Sequence, residues 1–334
     1  MKRSFFKAGL IFIVSPIILS LSLVGAHAAK RLNAVVPDWT GGEITCEVAV
    51  LILEQELGYK VNQVEFPSGN GAWEAMVGGD FDMMCEHWPS YTEGDTTFIA
   101  EFGGDGTALN LGTSGIVGLS DYYVPKYFVD ANPGFKGWED LNDYKDQFAT
   151  IESGDKGRLI GCPVPGWNCY DQIRLDMLNI DFVADELGSE AASLAEAQGA
   201  YKRGEPFLLY LWEPHWAFGA MELVAVGLPA NKTCDTWTEA DGYKDCGLGF
   251  WPATGWAEDH TFNSGRPDFW NDPENADAKK FMANMNLENI HQSTMLALIN
   301  DTGRSVKDVV QEWKDNNETI WRAWLPKSLR KFNR

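Results

Sequence analysis

The order of apolar and polar positions in the first third of the chain predicts strands and helices in alternation. The strand-like apolar runs are "RLNAVVPDW", "KVNQVEF" and "DFDMMCEHW", and the segments between them, "GGEITCEVAVLILEQELGY" and "GAWEAMVGG", are typical of helices. Gly58 is suited to the C-terminal end of the first helix. Alternation of this kind indicates β-α-β units around a mostly parallel sheet.

The alternation starts again at "SDYYVPKYF". Helices are predicted over "FKGWEDLNDYKDQF", "CYDQIRLDMLNI" and most of "FVADELGSEAASLAEAQGAYKRG", and strands over the start of "RLIGCPVPGW" and over "PFLLYLW". A tryptophan-rich loop region follows, and then the helices "ADAKKFMANM", "ENIHQSTMLALIN" and "SVKDVVQEWKDNNETIWRAW". We therefore predict an α/β protein made of two such units, with a ligand in the cleft between them.

The first 28 residues have the pattern of a secretory signal peptide. Lys2, Arg3 and Lys7 form a positive region, an apolar stretch follows, and residues 26–28 supply an Ala-x-Ala cleavage site. An uncleaved membrane anchor is the alternative, because the apolar stretch is fairly long. The small residues at its end, and the serines and proline within it, favour cleavage and export.

Charge narrows the classes of partner. The formal net charge is −21, and loss of residues 1–28 removes three positive charges, which gives −24. A field of this sign argues against binding to nucleic acid or to anionic lipid.

Six cysteines, an even number in an exported chain, indicate disulfides. A preference for local loops gives the pairs Cys162–Cys169, Cys234–Cys246 and Cys46–Cys85. Zinc is the alternative, but no C-x-x-C pair or histidine cluster supports it. The acidic segment between residues 234 and 246 is a weaker candidate for Ca²⁺, since it lacks EF-hand spacing. We predict no metal.

Enzyme signatures are missing from the sequence. It contains no G-x-S-x-G, H-E-x-x-H, P-loop or G-x-G-x-x-G motif. Beyond the signal peptide the histidines are scattered, and no pair of carboxylates stands out from the acidic background. The prediction is a protein that is not an enzyme and carries no cofactor.

The positions of four tryptophans give the strongest chemical signal. Trp39, Trp88, Trp167 and Trp212 each follow a strand-like apolar run, and so fall at the carboxyl ends of strands, where open α/β sheets bind ligands. Indole faces around one cleft attract a methylated ammonium group through cation–π contact, which contributes roughly 0.5–2 kcal/mol per ring. Such a group has no N–H to donate, so aromatic faces suit it better than carboxylates do.

Three segments are long and position-specific: "GCPVPGWNC", "GSEAASLAEAQGAYKRGEPFLLYLWEPHW" and "GDFDMMCEHWP". They resemble the glycine betaine/proline betaine-binding proteins of ABC transporters for osmolytes, over nearly the whole chain beyond the signal peptide. The resemblance implies a two-domain periplasmic binding protein of type II, with helix-flanked sheets and a ligand cleft between the domains. The implied domain I comprises residues 29–118 and 222–334, and the implied domain II residues 119–221.

The resemblance also implies a ligand site. The tryptophans that enclose the ligand in that family fall here on Trp88, Trp167 and Trp212. In some members the ligand carboxylate is held by backbone N–H groups after the middle tryptophan, here Asn168 and Cys169, inside a small disulfide loop. The loop in this chain is one residue longer than the family pattern.

Two departures from the family bear on specificity. Some relatives carry a carboxylate-binding histidine four positions after the first cage tryptophan, where this chain has Thr92, and Trp39 offers a fourth aromatic wall. A less anionic ligand such as trimethylamine N-oxide fits these changes better than a betaine does. Its oxygen requires a donor, for which protonated Glu43 or Glu86 are the candidates.

The leading hypothesis is therefore a monomeric periplasmic receptor that delivers a small methylated osmolyte to the membrane permease of an ABC importer. Candidate ligands are glycine betaine, trimethylamine N-oxide, proline betaine, choline and dimethylsulfoniopropionate. An exported enzyme acting on the same osmolytes and a sensory receptor for them are the alternatives.

Overall fold

The computed structural model describes residues 30–91, 93–232 and 253–330. The strands of these ranges are β1 (Lys30–Val36), β2 (Tyr59–Glu65), β3 (Met83–His87), β4 (Leu109–Pro125), β5 (Gly157–Ile160), β6 (Phe182–Asp185), β7 (Leu208–Glu213), β8 (Leu223–Ala225) and β9 (Asp259–Gly265).

Helices lie between these strands in both halves of the sequence. They are α1 (Thr40–Leu57), α2 (Asn70–Gly78), α3 (Gly94–Phe98), α4 (Lys126–Ala131), α5 (Leu141–Tyr144), α6 (Asp171–Met177), α7 (Glu190–Arg203), α8 (Ala217–Ala220), α9 (Pro267–Trp270), α10 (Ala276–Asn284), α11 (Asn289–Thr302), α12 (Val306–Asn316) and α13 (Glu318–Trp321). The predicted α/β class is confirmed.

The first helix shows how closely sequence and structure agree where the pattern is strong. α1 is apolar over most of its surface because it is buried against β2 and β3 on one side and against α11 and α12 on the other. Gly58 ends it in the left-handed conformation (φ 74°) and donates its N–H to the Leu53 carbonyl, as a C-terminal glycine does.

The strands join in the order β2-β1-β3-β9-β4-β7-β5-β6, and β8 pairs with β4. β4 is shared by two half-sheets. Its first part, as far as Gly118, pairs with β9, and its second part, from Leu119, pairs with β7 and β8. We call β2-β1-β3-β9 with the first part of β4 the first half-sheet, and the remainder the second half-sheet.

The expected "mostly parallel" sheet is in fact mixed. The pairs β1–β2, β1–β3, β5–β6 and β5–β7 are parallel. The pairs β3–β9, β4–β9, β4–β7 and β4–β8 are antiparallel. The difference arises because β4 and β9 return across the middle of the sheet. No strand was predicted at the glycine-rich start of β4 or within the tryptophan-rich loop region, which contains β9.

Two helix predictions need correction. Phe182–Asp185 is strand β6, paired with β5, rather than the start of a helix, and the helix begins only at Glu190 after the Ser189 cap. The segment predicted as a helix over residues 135–148 contains only α5, flanked by short 3₁₀ turns. Its Asp and Asn residues compete for backbone hydrogen bonds and favour turns.

Separate cores pack against the two half-sheets. One hydrophobic cluster, with Leu32, Ile44 and Phe281, and a smaller one around Trp73 lie with the first half-sheet. A third cluster, with Leu159 and Leu208, lies with the second. Within the described residues, no helix is long and apolar enough to cross a membrane. The predicted domain limits stay a prediction; β8, beyond residue 221, pairs with the second half of β4.

Candidate ligand-binding site

The structure brings the four predicted tryptophans together around one cavity. Trp39 precedes α1, Trp88 directly follows β3, Trp167 ends a 3₁₀ turn after β5, and Trp212 lies near the end of β7. The ring centroids of Trp39 and Trp167 are 5.6 Å apart and those of Trp167 and Trp212 5.4 Å apart, both edge to face. These are ordinary aromatic contacts, and they leave ring faces free to line the cavity.

The cavity is small and mostly apolar. The volume that the centre of a water-sized sphere can occupy is about 70 Å³, so the cavity suits a compact solute. Several of its walls were not predicted as ligand-site residues: Val35, Pro37, Ser68, Gly69, Ala72, Trp73, Met84, Cys85, His87, Tyr91 and Tyr210. Tyr91 lies three residues beyond Trp88 and Tyr210 two residues before Trp212, so both aromatic residues neighbour a cage tryptophan in the sequence.

Glycine allows one of the tryptophans to reach the cavity wall. Trp88 lies against the backbone of Gly118 on β4, where a Cβ atom would overlap the indole ring. A side chain at this position would displace Trp88, so the close approach of ring and strand depends on glycine. Gly118 is also the residue at which β4 leaves its pairing with β9.

Carboxylates hold three of the four indoles. Glu86 Oε1 accepts hydrogen bonds from Trp39 Nε1 and Trp88 Nε1, each at 3.1 Å. Asp38 Oδ1 accepts a hydrogen bond from Trp167 Nε1, also at 3.1 Å. Each indole can only donate through its nitrogen, so these acceptors fix the ring orientation. These hydrogen bonds hold the three rings in place around the cavity.

Glu86 is the most deeply buried carboxyl group of the site, with 1% of its surface exposed. Its second oxygen accepts a hydrogen bond from Gln292 Nε2 at 2.7 Å. Burial raises the pKa of the Glu86 carboxyl above its ordinary value, while hydrogen bonds from Thr45, Trp39 and other donors act in the opposite direction. The backbone of Glu86 has φ 50°, a conformation that is uncommon for residues other than glycine.

His87 also lines the cavity and is buried between Trp73 and Phe262, edge to face with both. Burial lowers the pKa of His87 to about 3. The imidazole is therefore neutral at neutral pH, and no positive charge on it opposes a cation in the cavity.

The two tyrosines form a hydroxyl pair behind the cage. Tyr210 donates to the Tyr91 hydroxyl at 2.7 Å, and Tyr91 contacts the Ser120 hydroxyl. Burial raises the pKa of both tyrosines, so both remain uncharged.

Other sequence candidates lie away from the cavity wall. Glu43 is exposed on the first turn of α1, and Asn168 and Cys169 are also outside the lining. Asn168 is left-handed (φ 52°) after the right-handed turn that ends at Trp167, an alternation that points successive N–H groups into one concavity. Thr92 lies outside the described residues.

The disulfide predictions are confirmed where the structure describes the cysteines. Cys46 on α1 is bonded to Cys85 on β3, with Cα atoms 5.3 Å apart, and Cys162 is bonded to Cys169, with Cα atoms 6.0 Å apart. The first bond joins the helix after Trp39 to the strand before Trp88. Cys234 and Cys246, and the Ca²⁺ candidate segment between them, lie outside the described residues. Within the described ranges, no group of three or more His, Cys, Asp or Glu residues is placed to hold a metal ion.

Several contacts bridge the cleft between the half-sheets. Asp38, after β1, contacts both Trp167 and the backbone N–H of Ser68. Thr40, at the start of α1, donates its backbone N–H (2.8 Å) and its hydroxyl (3.1 Å) to Glu190 Oε2 at the start of α7. The loops at Gly69 and Gly166 touch through their backbones. These contacts hold the two half-sheets together across the cleft.

Glu190 connects this bridge to the cage. His215 Nδ1 accepts the Ala217 N–H, so its Nε2 carries the proton and donates to Glu190 Oε1 at 2.8 Å. The His215 ring packs edge to face on Trp212. Burial alone would raise the pKa of Glu190, but the hydrogen bonds from His215 and Thr40 hold it below its ordinary value.

Comparison with known proteins gives a family match over most of the chain. The family model described as "Substrate binding domain of ABC-type glycine betaine transport system" matches residues 30–316. The glycine betaine/proline betaine-binding periplasmic protein of Escherichia coli (strain K12) is 25% identical over 202 residues, which cover 54% of this chain and 58% of that protein. The chain spans about half the length of the curated relatives it matches.

Solved structures show the same fold at low sequence identity. The glycine betaine, L-proline ABC transporter binding protein ProX from Borrelia burgdorferi has a TM-score of 0.67 at 18% identity, and covers 90% of this chain and 98% of its own. An ABC-transporter choline-binding protein in complex with choline also has a TM-score of 0.67 at 18% identity, and covers 88% of this chain and 91% of its own. The fold is that of a type II periplasmic binding protein.

Proposed function

The chain belongs to the family of substrate-binding domains of ABC-type glycine betaine transport systems, and we propose that it captures a methylated-ammonium osmolyte for an ABC importer. The observation that carries this proposal is the cavity walled by Trp39, Trp88, Trp167 and Trp212. A quaternary ammonium group fits such a wall because its charge is attracted to the ring faces, while its methyl groups need no hydrogen-bond acceptor.

The proposed ligands are trimethylamine N-oxide and glycine betaine. A compact cavity with few polar walls favours a small ligand that is methylated over most of its surface. The left-handed backbone of Asn168, directly after Trp167, supports a carboxylate site at the Asn168 and Cys169 N–H groups, which a betaine would use. Trimethylamine N-oxide would place three methyl groups in the same cage and needs only one donor for its oxygen. Binding proteins for glycine betaine and for choline are among the proteins with similar folds or sequences.

Capture is proposed to proceed by closure of the two half-sheets about β4, which is shared by both. The proposed domains are residues 29–118 with 222–334, and residues 119–221. Trp39 and Trp88 then belong to one domain and Trp167 to the other, so the cage is complete only in the closed form. The Thr40–Glu190 and Asp38–Trp167 contacts support this proposal because they cross the cleft.

Delivery to a membrane permease, a monomeric state and a periplasmic location complete the proposal. Residues 1–28 have the composition of a cleaved signal peptide. The Escherichia coli relative is named as a periplasmic protein. The chain is proposed to act as a carrier of its ligand and not as an enzyme.

Isothermal titration of the purified chain with glycine betaine, trimethylamine N-oxide, choline and dimethylsulfoniopropionate tests the function. Binding of at least one, with Trp212→Ala weakening it by well over 1 kcal/mol, is the expected result, since central aromatic anchors usually contribute that much. Trp138→Ala is the matched control, because Trp138 packs against the second half-sheet's core away from the cavity. Equal affinities for the two variants and the wild type would refute the cage.

A further inference from the structure

A carboxyl group buried at the edge of an apolar cage requires an explanation. Glu86 is almost completely enclosed, and three side-chain nitrogens point at its two oxygens: Trp39 Nε1, Trp88 Nε1 and Gln292 Nε2. The uncommon backbone conformation at Glu86 is held by a hydrogen bond from its N–H to Asn263 Oδ1 at 3.2 Å. Unusual backbone geometry of this kind concentrates at functional sites.

The partners of Glu86 suit an ionised carboxylate. Both indole nitrogens can only donate. The Gln292 amide is oriented by a second contact, in which its Nε2 donates to the Gly41 carbonyl at 2.9 Å, so its nitrogen and not its oxygen faces Glu86. Donors converge on the carboxylate from α1, from α11 and from both cage tryptophans. An acid that stayed protonated would leave its own O–H facing these donors.

What the carboxylate lacks is a cation of the protein itself. Among the described residues, the side chains that donate hydrogen bonds to Glu86 are Trp39, Trp88, Gln292 and Thr45, and none of these is a cation. A buried carboxylate without a counter-ion is destabilising in an apolar wall. Glu86 and the two indoles that donate to it, Trp39 and Trp88, line the same cavity.

We propose that Glu86 is the buried counter-charge of the bound ammonium group, acting through Trp39 and Trp88, and that it makes the cage select positive charge rather than trimethyl shape. The inference rests on the proposed function and deepens it. The carboxylate polarises both indoles through their N–H groups and adds a Coulomb attraction to the cation, which is strong in a site of low dielectric constant. In its absence, the preference of the cage for a trimethylammonium group over a tert-butyl group would rest on the cation–π attraction of the rings alone.

Carbon isosteres separate charge from shape. Choline is compared with 3,3-dimethylbutan-1-ol, and glycine betaine with 3,3-dimethylbutanoate, by isothermal titration of the full chain and of Glu86→Gln. The wild type should prefer the nitrogen compound of a pair by about tenfold or more. Glu86→Gln should lower the affinity for the nitrogen compound by about tenfold or more and change that for the isostere by less than about threefold. Glu74→Gln, an exposed carboxylate on α2, removes the same formal charge and should change neither.

Glu86→Asp keeps the charge and guards against a variant that merely distorts the cage. It should retain most of the preference for the nitrogen compound even if both affinities fall. Equal losses for ligand and isostere in Glu86→Gln would show that Glu86 only shapes the site, and would overturn the proposal. A wild type that binds isostere and ligand alike would overturn it without any variant. Binding of none of the nitrogen compounds to the wild type would instead remove the proposed function, and this inference with it.

Discussion

The contact between Gly69 and Gly166 gives a direct test of cleft closure. Gly166 lies in the turn before Trp167, and a Cβ atom added there would be 2.8 Å from the Ser68 carbonyl oxygen across the cleft. Ordinary Cβ contacts begin at about 3.4 Å, so Gly166→Ala would hold these loops roughly half an ångström apart or force one of them to move. The backbone of Gly166 is not left-handed, so alanine causes no local strain of its own.

The magnitude follows from the cost of overpacking. Forcing an extra methyl group into a packed contact costs about 1–3 kcal/mol. If that cost falls on the closed form alone, the affinity for glycine betaine or trimethylamine N-oxide should fall by about 5- to 150-fold, while the free energy of unfolding of the ligand-free protein changes little. Isothermal titration measures the first quantity and urea unfolding the second.

Two further variants complete the experiment. Gly69→Ala places its Cβ against the Gly166 carbonyl from the opposite side and should weaken binding as well, but its φ of 111° also strains alanine, so its free energy of unfolding should fall too. Gly71→Ala, two residues away in α2, has nothing within 4 Å of the added Cβ and should bind like the wild type. A Gly166→Ala protein that binds with wild-type affinity would refute the argument that this contact forms on closure.

Two other predictions concern buried titratable groups. Burial lowers the pKa of His87 to about 3 from 6.5, so below pH 6.5 the unfolded chain takes up this proton and the folded chain does not. Between pH 6.5 and 5, the free energy of unfolding measured with urea should therefore fall by about 2 kcal/mol more in the wild type than in His87→Gln. An equal fall in the two proteins would contradict this. Glu190→Gln turns an amide N–H toward the donors of Thr40 or His215, and it should weaken ligand binding about 5- to 150-fold in titration calorimetry. Glu196→Gln, on the same helix, should leave the ligand affinity unchanged. Equal affinities of these two variants would exclude a role of the Thr40–Glu190 contact in closure.

The local sequence pattern was sufficient for several parts of the molecule. The alternation of apolar runs predicted β1, α1, β2, α2 and β3 in order, because each segment is long or buried enough for periodicity to show. The cage tryptophans were found in the same way, since parallel strands place their carboxyl ends at one edge. That they bind ligand stays a prediction, as do the roles of Asn168, Cys169 and Glu43.

Other parts had no local signal. β4 includes Gly112 and Gly115 in left-handed conformations, and the register shifts beside them let one strand serve two half-sheets. Glycine weakens strand propensity, so the pattern did not predict the strand that joins the two half-sheets. β6 is short and was absorbed into a helix prediction, and only its pairing with β5 decides its conformation.

By itself, the sequence determined the α/β class, the acidic surface charge, the local disulfide at Cys162 and the presence of indoles at strand ends. These depend on residue type and on neighbours near in the chain. Only the tertiary structure decided that Glu86 would support two indoles, that Glu190 would meet Thr40 across the cleft, and that Tyr91 and Tyr210 would share a hydrogen bond. Such pairs join residues far apart in the chain, and the energy of a buried polar group depends on which partners surround it after folding.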